Sequence, residues 1–279
     1  MALPKQDFPP VRAALFDMDG LLLNTEDIYT ICHNILLAEY GGPPMEWSIK
    51  SQLQGRPASE AIALLLNWAK LTDIDVQEYI AKLTIIQAQQ FPLCKPLPGV
   101  ETLLGDLKAT AARGKAKKVH IALATSSHLA SFDVKTQHWK EMFTVFTPER
   151  RVLGDDARIP KGRGKPSPDI YQLALRVINE SLEEGEEPVK PEECLVFEDS
   201  VPGVESGRRA GMRVVWVPNP GLAIQYKGRE DTVLAGRGEG SLVDVHELGT
   251  PGDGWGQQLS TLEDFPYEKY GIATGKERA

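Results

Sequence analysis

The sequence predicts an α/β fold: a parallel sheet with helices on both faces and a helical block inserted after the first strand. Three observations carry this. Beyond Pro96, Pro98 and Gly99, short apolar runs alternate with stretches of helical periodicity. Before that boundary, residues 25–94 hold helical spacing and no strand-like run. The first apolar run, Ala13-Ala14-Leu15-Phe16, ends in the turn-forming pair Asp19-Gly20, as a buried strand opening into a loop does.

Taken in order, the elements justify the class. Ala13 to Phe16 is the first strand. From Glu26 to Tyr40, Ile28, Ile31, Ile35 and Leu36 recur at helical spacing, and Gly41-Gly42 supplies a stop. Ser59 to Lys70 and Asp75 to Gln90 also read as helices, the second opened by a capping pair of Asp75 and Glu78. Glu101 to Ala111 reads as helix, Val119 to Thr125 as strand, Pro168 to Asn179 as helix and Leu195 to Phe197 as strand. Val204 to Ala210 is a further helix and Val214 to Val217 a further strand. Arg150 to Gly164 and Gly221 to Gly256 are weakly patterned and read as loops. The expected domains are residues 1–24 with 95–279 as the α/β core, and residues 25–94 as the helical insertion.

Composition narrows the function. The chain has 279 residues, 42% hydrophobic and 25% charged, enough for a real core. Its 31 Lys and Arg against 39 Asp and Glu leave a net charge of −8, which disfavours general nucleic-acid binding because the phosphate backbone would be repelled. The one basic run, Arg113 to Lys118, reads as a solvated loop. Cys32, Cys94 and Cys194 are widely spaced and predict neither a disulfide framework nor a zinc site. Met1 to Pro10 has no apolar run of signal-peptide type, and no segment approaches membrane length. The expectation is a cytoplasmic protein with no membrane partner.

Open parallel sheets bind ligands beyond the carboxyl ends of their strands. Four polar signals fall there or at helix starts: Asp17-Met18-Asp19-Gly20, Thr125-Ser126-Ser127, Lys165 ahead of Pro166, and Glu198-Asp199-Ser200. Each alone is an ordinary turn, cap or surface feature. Together they place four carboxyl groups in one region, which a hard cation such as Mg²⁺ would make tolerable. Thr125 offers a hydroxyl and Lys165 a point charge, both suited to a phosphoryl group. One carboxylate could attack phosphorus, and a second could move the proton of the leaving oxygen.

These motifs resemble those of the haloacid-dehalogenase-like hydrolase superfamily and extend over nearly the whole chain. Within it, the stretches LFDMDGLLLNTE (15–26), ALATSSHLASFDVK (122–135), LGDD (153–156), KPSPDI (165–170) and CLVFEDSVPGVE (194–205) are similar to the β-phosphoglucomutase-like group. They are most similar to its pseudouridine-5′-phosphatase type, as is Leu262 to Gly271. The resemblance implies a Rossmann-like core with a C1-type helical cap, Asp17 as nucleophile and Asp19 as general acid/base. It implies that Thr125 and Lys165, with Ser126, hold the phosphoryl group of a small phosphate monoester. Mg²⁺ would be bound by Asp17, the Asp19 backbone carbonyl and Asp199, with Glu198 in support.

Arg56, expected at the start of the second long insertion helix, reads either as a substrate contact or as a solvent-facing Arg, and His128 as a substrate contact or a loop histidine. Asn24 stands where the family has Asp, at the junction with the insertion. Residues 109–118, 159–163 and 221–249 look like insertions. A phosphomutase would carry basic or amide side chains after the Thr125 motif, where this chain has His128 and Leu129. Dehalogenation has no use for Asp19 or Asp199, and a non-catalytic protein would have no reason to keep every charged group. A monomeric phosphatase is the expectation.

Overall fold

The computed structural model describes residues 7–114, 118–238 and 248–274. Residues 115–117 of the basic run, and residues 239–247 of the Gly-rich stretch with His246, lie outside the described residues.

Six strands form one parallel sheet: β1 (Ala13–Phe16), β2 (His120–Ala124), β3 (Arg151–Val152), β4 (Cys194–Glu198), β5 (Arg213–Trp216) and β6 (Gly256–Gln258). Their order is β3-β2-β1-β4-β5-β6. Strand β1 is therefore central, with Phe16 opposite Leu123 of β2 and Phe197 of β4. Whatever follows Phe16 must emerge between the ends of β2 and β4.

Among the described residues the insertion after β1 holds four α-helices: α1 (Thr25–Glu39), α2 (Trp47–Leu53), α3 (Ala58–Trp68) and α4 (Val76–Gln90). Helix α2 is absent from the sequence reading, because seven residues give too few apolar repeats to show a period. Asp75 caps α4 as expected, its Oδ1 accepting from the Gln77 and Glu78 N–H groups at 2.9 Å. Glu78 does not close the capping box; its carboxylate accepts from the Tyr40 hydroxyl. The chain leaves for these helices and returns side by side. Leu23 forms an antiparallel bridge with Pro96, the Asn24 N–H donates to the Lys95 carbonyl, and the Lys95 N–H donates to Asn24 Oδ1 at 2.7 Å. Asn24 thus supplies at this junction a side-chain oxygen of the kind an Asp would.

Beyond the insertion come α5 (Val100–Ala109), α6 (Leu129–Thr136), α7 (Lys140–Phe143), α8 (Asp169–Glu180), α9 (Val201–Arg209), α10 (Pro220–Gln225) and α11 (Glu230–Leu234). Two stretches read as loops are corrected here. Residues 150–164 contain β3, too short to carry a pattern, and residues 221–256 contain most of α10, all of α11 and the start of β6. Among the described residues no helix is long and apolar enough to cross a membrane. The three cysteines are free and buried.

Alternation along the strands divides the interior in two. Ala14, Phe16, Leu123, Leu195 and Phe197 face one core with Leu103 and Leu107 of α5, Phe132 of α6 and Leu36 of α1. Ala13, Leu15, Ala122, Val196 and Trp216 face the other with Ile170, Ala174 and Ile178 of α8 and Val204 of α9. The inserted helices also touch the far side of the site. The Trp47 indole of α2 lies so close to Gly221 that a Cβ there would fall 2.0 Å from it, and Asn219 donates to Asp27.

Burial sets an acid limit on this fold. His33 of α1 and His120 of β2 are buried, and burial first, then the nearby Lys50 and Arg150 charges respectively, lower both imidazoles to about 4. In the unfolded chain each takes up a proton near 6.5, so stability is retained above that pH and lost as pH falls from 6.5 towards 4. His33→Gln is expected to flatten this fall by up to about 2 kcal/mol, read from urea unfolding at pH 7 and pH 5.

Candidate active site

The residues after β1, β2 and β4 and before α8 converge at the carboxyl edge of the sheet. Asp17 directly follows β1, and its N–H continues the ladder to the Phe197 carbonyl at 3.1 Å. Lys165, ahead of the first turn of α8, sends its ammonium under this edge. It donates to Asp17 Oδ1 at 2.5 Å and to the Ala124 carbonyl at 3.0 Å, and it lies 2.7 Å from Glu198 Oε1. Glu198 is the last residue of β4 and fully buried. Its Oε1 also accepts from the Tyr171 hydroxyl, and its Oε2 accepts from the Asp199 and Ser200 N–H groups and the Ser200 hydroxyl. Glu198 is thereby fixed, and it fixes Lys165 in turn.

Asp17, Glu198 and Asp199 present one oxygen each within 4.8 Å of one another. Burial first, then the neighbouring Glu198 and Asp19 charges, push the Asp17 carboxyl up to about 8 despite the opposing pull of Lys165. Asp199 is driven well above the usual carboxylate range by burial, then by Glu26, Glu198 and Asp17. Its Oδ2 is buried without a hydrogen-bond partner, while its backbone carbonyl accepts from the Trp216 indole at 2.8 Å. One ammonium is too little charge for three carboxylates. An orphaned carboxylate oxygen, an all-oxygen donor set and a positive-charge deficit fit a hard divalent cation. The site is shaped for it at Gly20 as well, where φ is +79° and a Cβ would fall 2.2 Å from Asp199 Oδ2.

A second cluster surrounds Asp19. Its Oδ2 accepts from the Ser127 hydroxyl at 2.6 Å, with the Thr125 hydroxyl 3.4 Å away, and its Oδ1 accepts from Lys135 at 2.6 Å. Burial opposes ionisation here, yet the Lys135 ammonium and the hydrogen bonds from Lys135 and Ser127 hold the Asp19 carboxyl below its usual value. Asp17 and Asp19 are thus driven in opposite directions two residues apart, Asp17 by burial among carboxylates and Asp19 by the Lys135 ammonium and its hydrogen bonds.

The structure brings together Asp17, Asp19, Thr125, Lys165, Glu198 and Asp199. Ser126 is exposed, and its neighbour Ser127 is the serine turned into the site. His128 is exposed at the start of α6, beside Gly154. Arg56 does not open α3, whose first residue is Ala58; it lies in the preceding turn and donates to the Gln52 carbonyl. Three contributors escaped the sequence reading, Lys135, Tyr29 and Tyr171, and Ser127 was named within its motif without a role. Lys135 had one visible signal, a cation beside Phe132 on the apolar face of a short helix. A further buried cation, Lys50 of α2, pairs with Glu26 at 2.9 Å on the side of the insertion.

Residues 14–217 match the family model described as haloacid dehalogenase-like hydrolase. The chain is 42% identical to a probable pseudouridine-5′-phosphatase of Saccharomyces cerevisiae, over 94% of this chain and 98% of that one. It is 33% identical to (DL)-glycerol-3-phosphatase 2 of Arabidopsis thaliana, over 86% of this chain and 92% of that one. Among solved structures it resembles a HAD hydrolase, family IA, variant 3, of Entamoeba histolytica, with a TM-score of 0.55 and 25% identity over 74% of this chain and 84% of that one. The phosphate complex of CbbY from Rhodobacter sphaeroides shares the fold, with a TM-score of 0.59 and 22% identity over 92% and 96% of the two chains. The family match and these relatives support a phosphoric monoester hydrolase. The chain belongs to the haloacid dehalogenase-like hydrolase family.

Gly20→Ala would drive a methyl group into the Asp199 carboxylate and strain a left-handed backbone. It is expected to cost at least about 1 kcal/mol of stability, measured by urea denaturation, together with most of the activity.

Proposed function

We propose that this chain is a Mg²⁺-dependent phosphatase that hydrolyses small phosphate monoesters through an aspartyl-phosphate on Asp17. The observation that carries this reading is the buried Lys165 ammonium, bonded to Asp17 at 2.5 Å and lying 2.7 Å from Glu198, next to the unpartnered Asp199 oxygen.

Asp17 directly follows the central strand of the sheet, and its free carboxylate oxygen attacks phosphorus. Lys165 and the Thr125 hydroxyl hold oxygens of the phosphoryl group as its charge spreads. Asp19 must enter this step protonated, and as the bond from phosphorus to the leaving oxygen breaks it gives that oxygen its proton. Asp19 then takes a proton from water as the water attacks phosphorus and displaces Asp17, releasing inorganic phosphate and restoring both carboxyl groups. Asp17, the Asp19 backbone carbonyl and Asp199 would hold Mg²⁺, which when bound supplies positive charge against the phosphoryl oxygens. Glu198, saturated with donors, serves to orient Lys165 and the loop bearing Asp199.

In the same reading, residues 25–94 act as a cap over a core of residues 1–24 and 95–279, closing the site against water. Trp47 against Gly221 supports this. Pseudouridine 5′-phosphate is the favoured substrate, because the yeast relative named for it is similar over almost the full length. Glycerol 3-phosphate is the second reading, from the Arabidopsis relative. Ser126, His128 and Arg56 are proposed to contact the substrate. The enzyme is proposed to work as a cytoplasmic monomer, without nucleic-acid or membrane partners.

Phosphate release with Mg²⁺ over a panel of nucleoside and sugar monophosphates tests the assignment. A preference for pseudouridine 5′-phosphate is expected, and release from no member of the panel would overturn it. Asp17→Asn should lower kcat by at least about 1000-fold with the fold intact; wild-type turnover would remove Asp17 as nucleophile. Turnover should cease in EDTA and return with added Mg²⁺, while turnover that persists in EDTA would count against the metal reading.

A further inference from the structure

Lys135 is the most deeply buried cation near the site, with a fully covered side chain. Its ammonium donates to Asp19 Oδ1 at 2.6 Å, to the Tyr29 hydroxyl at 2.9 Å and to the Ser127 hydroxyl at 2.9 Å. It lies 4.8 Å from the Tyr29 ring centre and 4.5 Å from that of Phe91. Burying an ammonium costs several kcal/mol unless it is fully partnered, and an unbranched apolar side chain would fill the same space between the two rings without that cost. Packing alone therefore does not call for a charge at this position.

The hydrogen bonds have a fixed direction. An ammonium can only donate, so the Ser127 oxygen must accept from Lys135 and is left with its own proton to give. That proton goes to Asp19 Oδ2, at 2.6 Å. Lys135 thus grips Asp19 at both oxygens: one directly, the other through Ser127. A carboxyl group otherwise turns freely about its last torsion. Here both oxygens are held by buried donors on α6 and on the loop before it. The third donor goes to Tyr29 on α1, the first helix of the insertion, so the seating of that helix bears on the same ammonium.

We infer that Lys135 is a positioning residue for proton transfer by Asp19, setting the angle at which its carboxyl meets the leaving oxygen, with Tyr29 linking that angle to the placement of α1. This rests on the assignment of Asp19 as acid/base. Misplacement by a fraction of an ångström would weaken proton delivery without touching the attack by Asp17. In the step that releases the leaving group, the defect would therefore appear where that group needs a proton and vanish where it does not; the later transfer of a proton from water is common to both kinds of ester.

The test compares Mg²⁺-supported kcat/KM, which reports the steps through leaving-group release, on glycerol 3-phosphate, whose alkoxide must be protonated, with kcat/KM on p-nitrophenyl phosphate, whose phenolate leaves unaided. In Lys135→Met, kcat/KM on the alkyl ester should fall about 100-fold while that on the aryl ester falls less than about 5-fold, within the range that acid catalysis contributes. Equal losses on both would overturn the inference. Asp19→Asn distinguishes the two layers of the argument. An unbiased loss there overturns the Asp19 assignment and this one with it; a biased loss there beside an unbiased loss in Lys135→Met overturns this one alone. Should Lys135→Met fail to fold, Tyr29→Phe decides, since it removes one hydrogen bond and keeps the ring. A fall of about threefold or more in the ratio of alkyl to aryl kcat/KM supports the role, and an unchanged ratio refutes it.

Discussion

The site depends on one buried contact, the Lys165 ammonium held between Asp17 and Glu198. Without it, Asp17, Glu198 and Asp199 would meet in a dry pocket with no positive charge among them, and the loops after β1 and β4 could not sit side by side. The fold meets the demand by topology. With β1 central and flanked by β2 and β4, the Ala124 carbonyl, the Asp17 carboxylate and Glu198 all lie within reach of one side chain. Tyr171 and the backbone of residues 199–200 take up the remaining capacity of Glu198, leaving it no freedom to turn. What is left over is a deficit of charge at Asp199, which gives the proposed cation its place.

The same economy repeats on the other side of the β1 loop. Asp19 is held by Lys135 and Ser127, both from the segment that follows β2. Two carboxylates on one short loop are matched with two buried lysines from different parts of the chain, and their acidities are driven apart. Asp17 remains associated with Asp199 and Asp19 with the hydroxyl cluster, so the proposed attack and the proposed proton transfer draw on separate supports. The inserted helices approach both. Tyr29 shares the Lys135 ammonium, and Glu26 on the same helix is paired with buried Lys50.

Much of this was legible without coordinates. The helices over 26–40, 75–90 and 168–179 follow from apolar spacing, and the strands at 13–16, 195–197 and 214–217 from short apolar runs. Asp17, Asp19, Lys165 and Asp199 stood out because charged residues recurred where strands end and helices start. What escaped was short or partnered at a distance. Helix α2 and strand β3 are too brief to show a period. Ser126 was chosen over Ser127 because neighbours in a loop give no sign of which one turns inward. Arg56 was assigned to a helix that begins two residues later.

The sequence by itself determined the order of the chemistry: which strand ends carry a carboxylate, a hydroxyl or a cation, and that a helical insertion separates the first from the second. Local spacing and residue type carry that information, because backbone periodicity and turn preference act over a few residues. Only the tertiary structure decided the pairings, Lys165 with Asp17 and Glu198, Lys135 with Asp19 and Tyr29, and Trp47 against Gly221. These join residues up to 174 positions apart, as for Trp47 and Gly221. Nothing in the neighbourhood of a lysine along the chain says which carboxylate it will meet, since that is fixed by the strand order and by which buried charges must be neutralised once water is excluded.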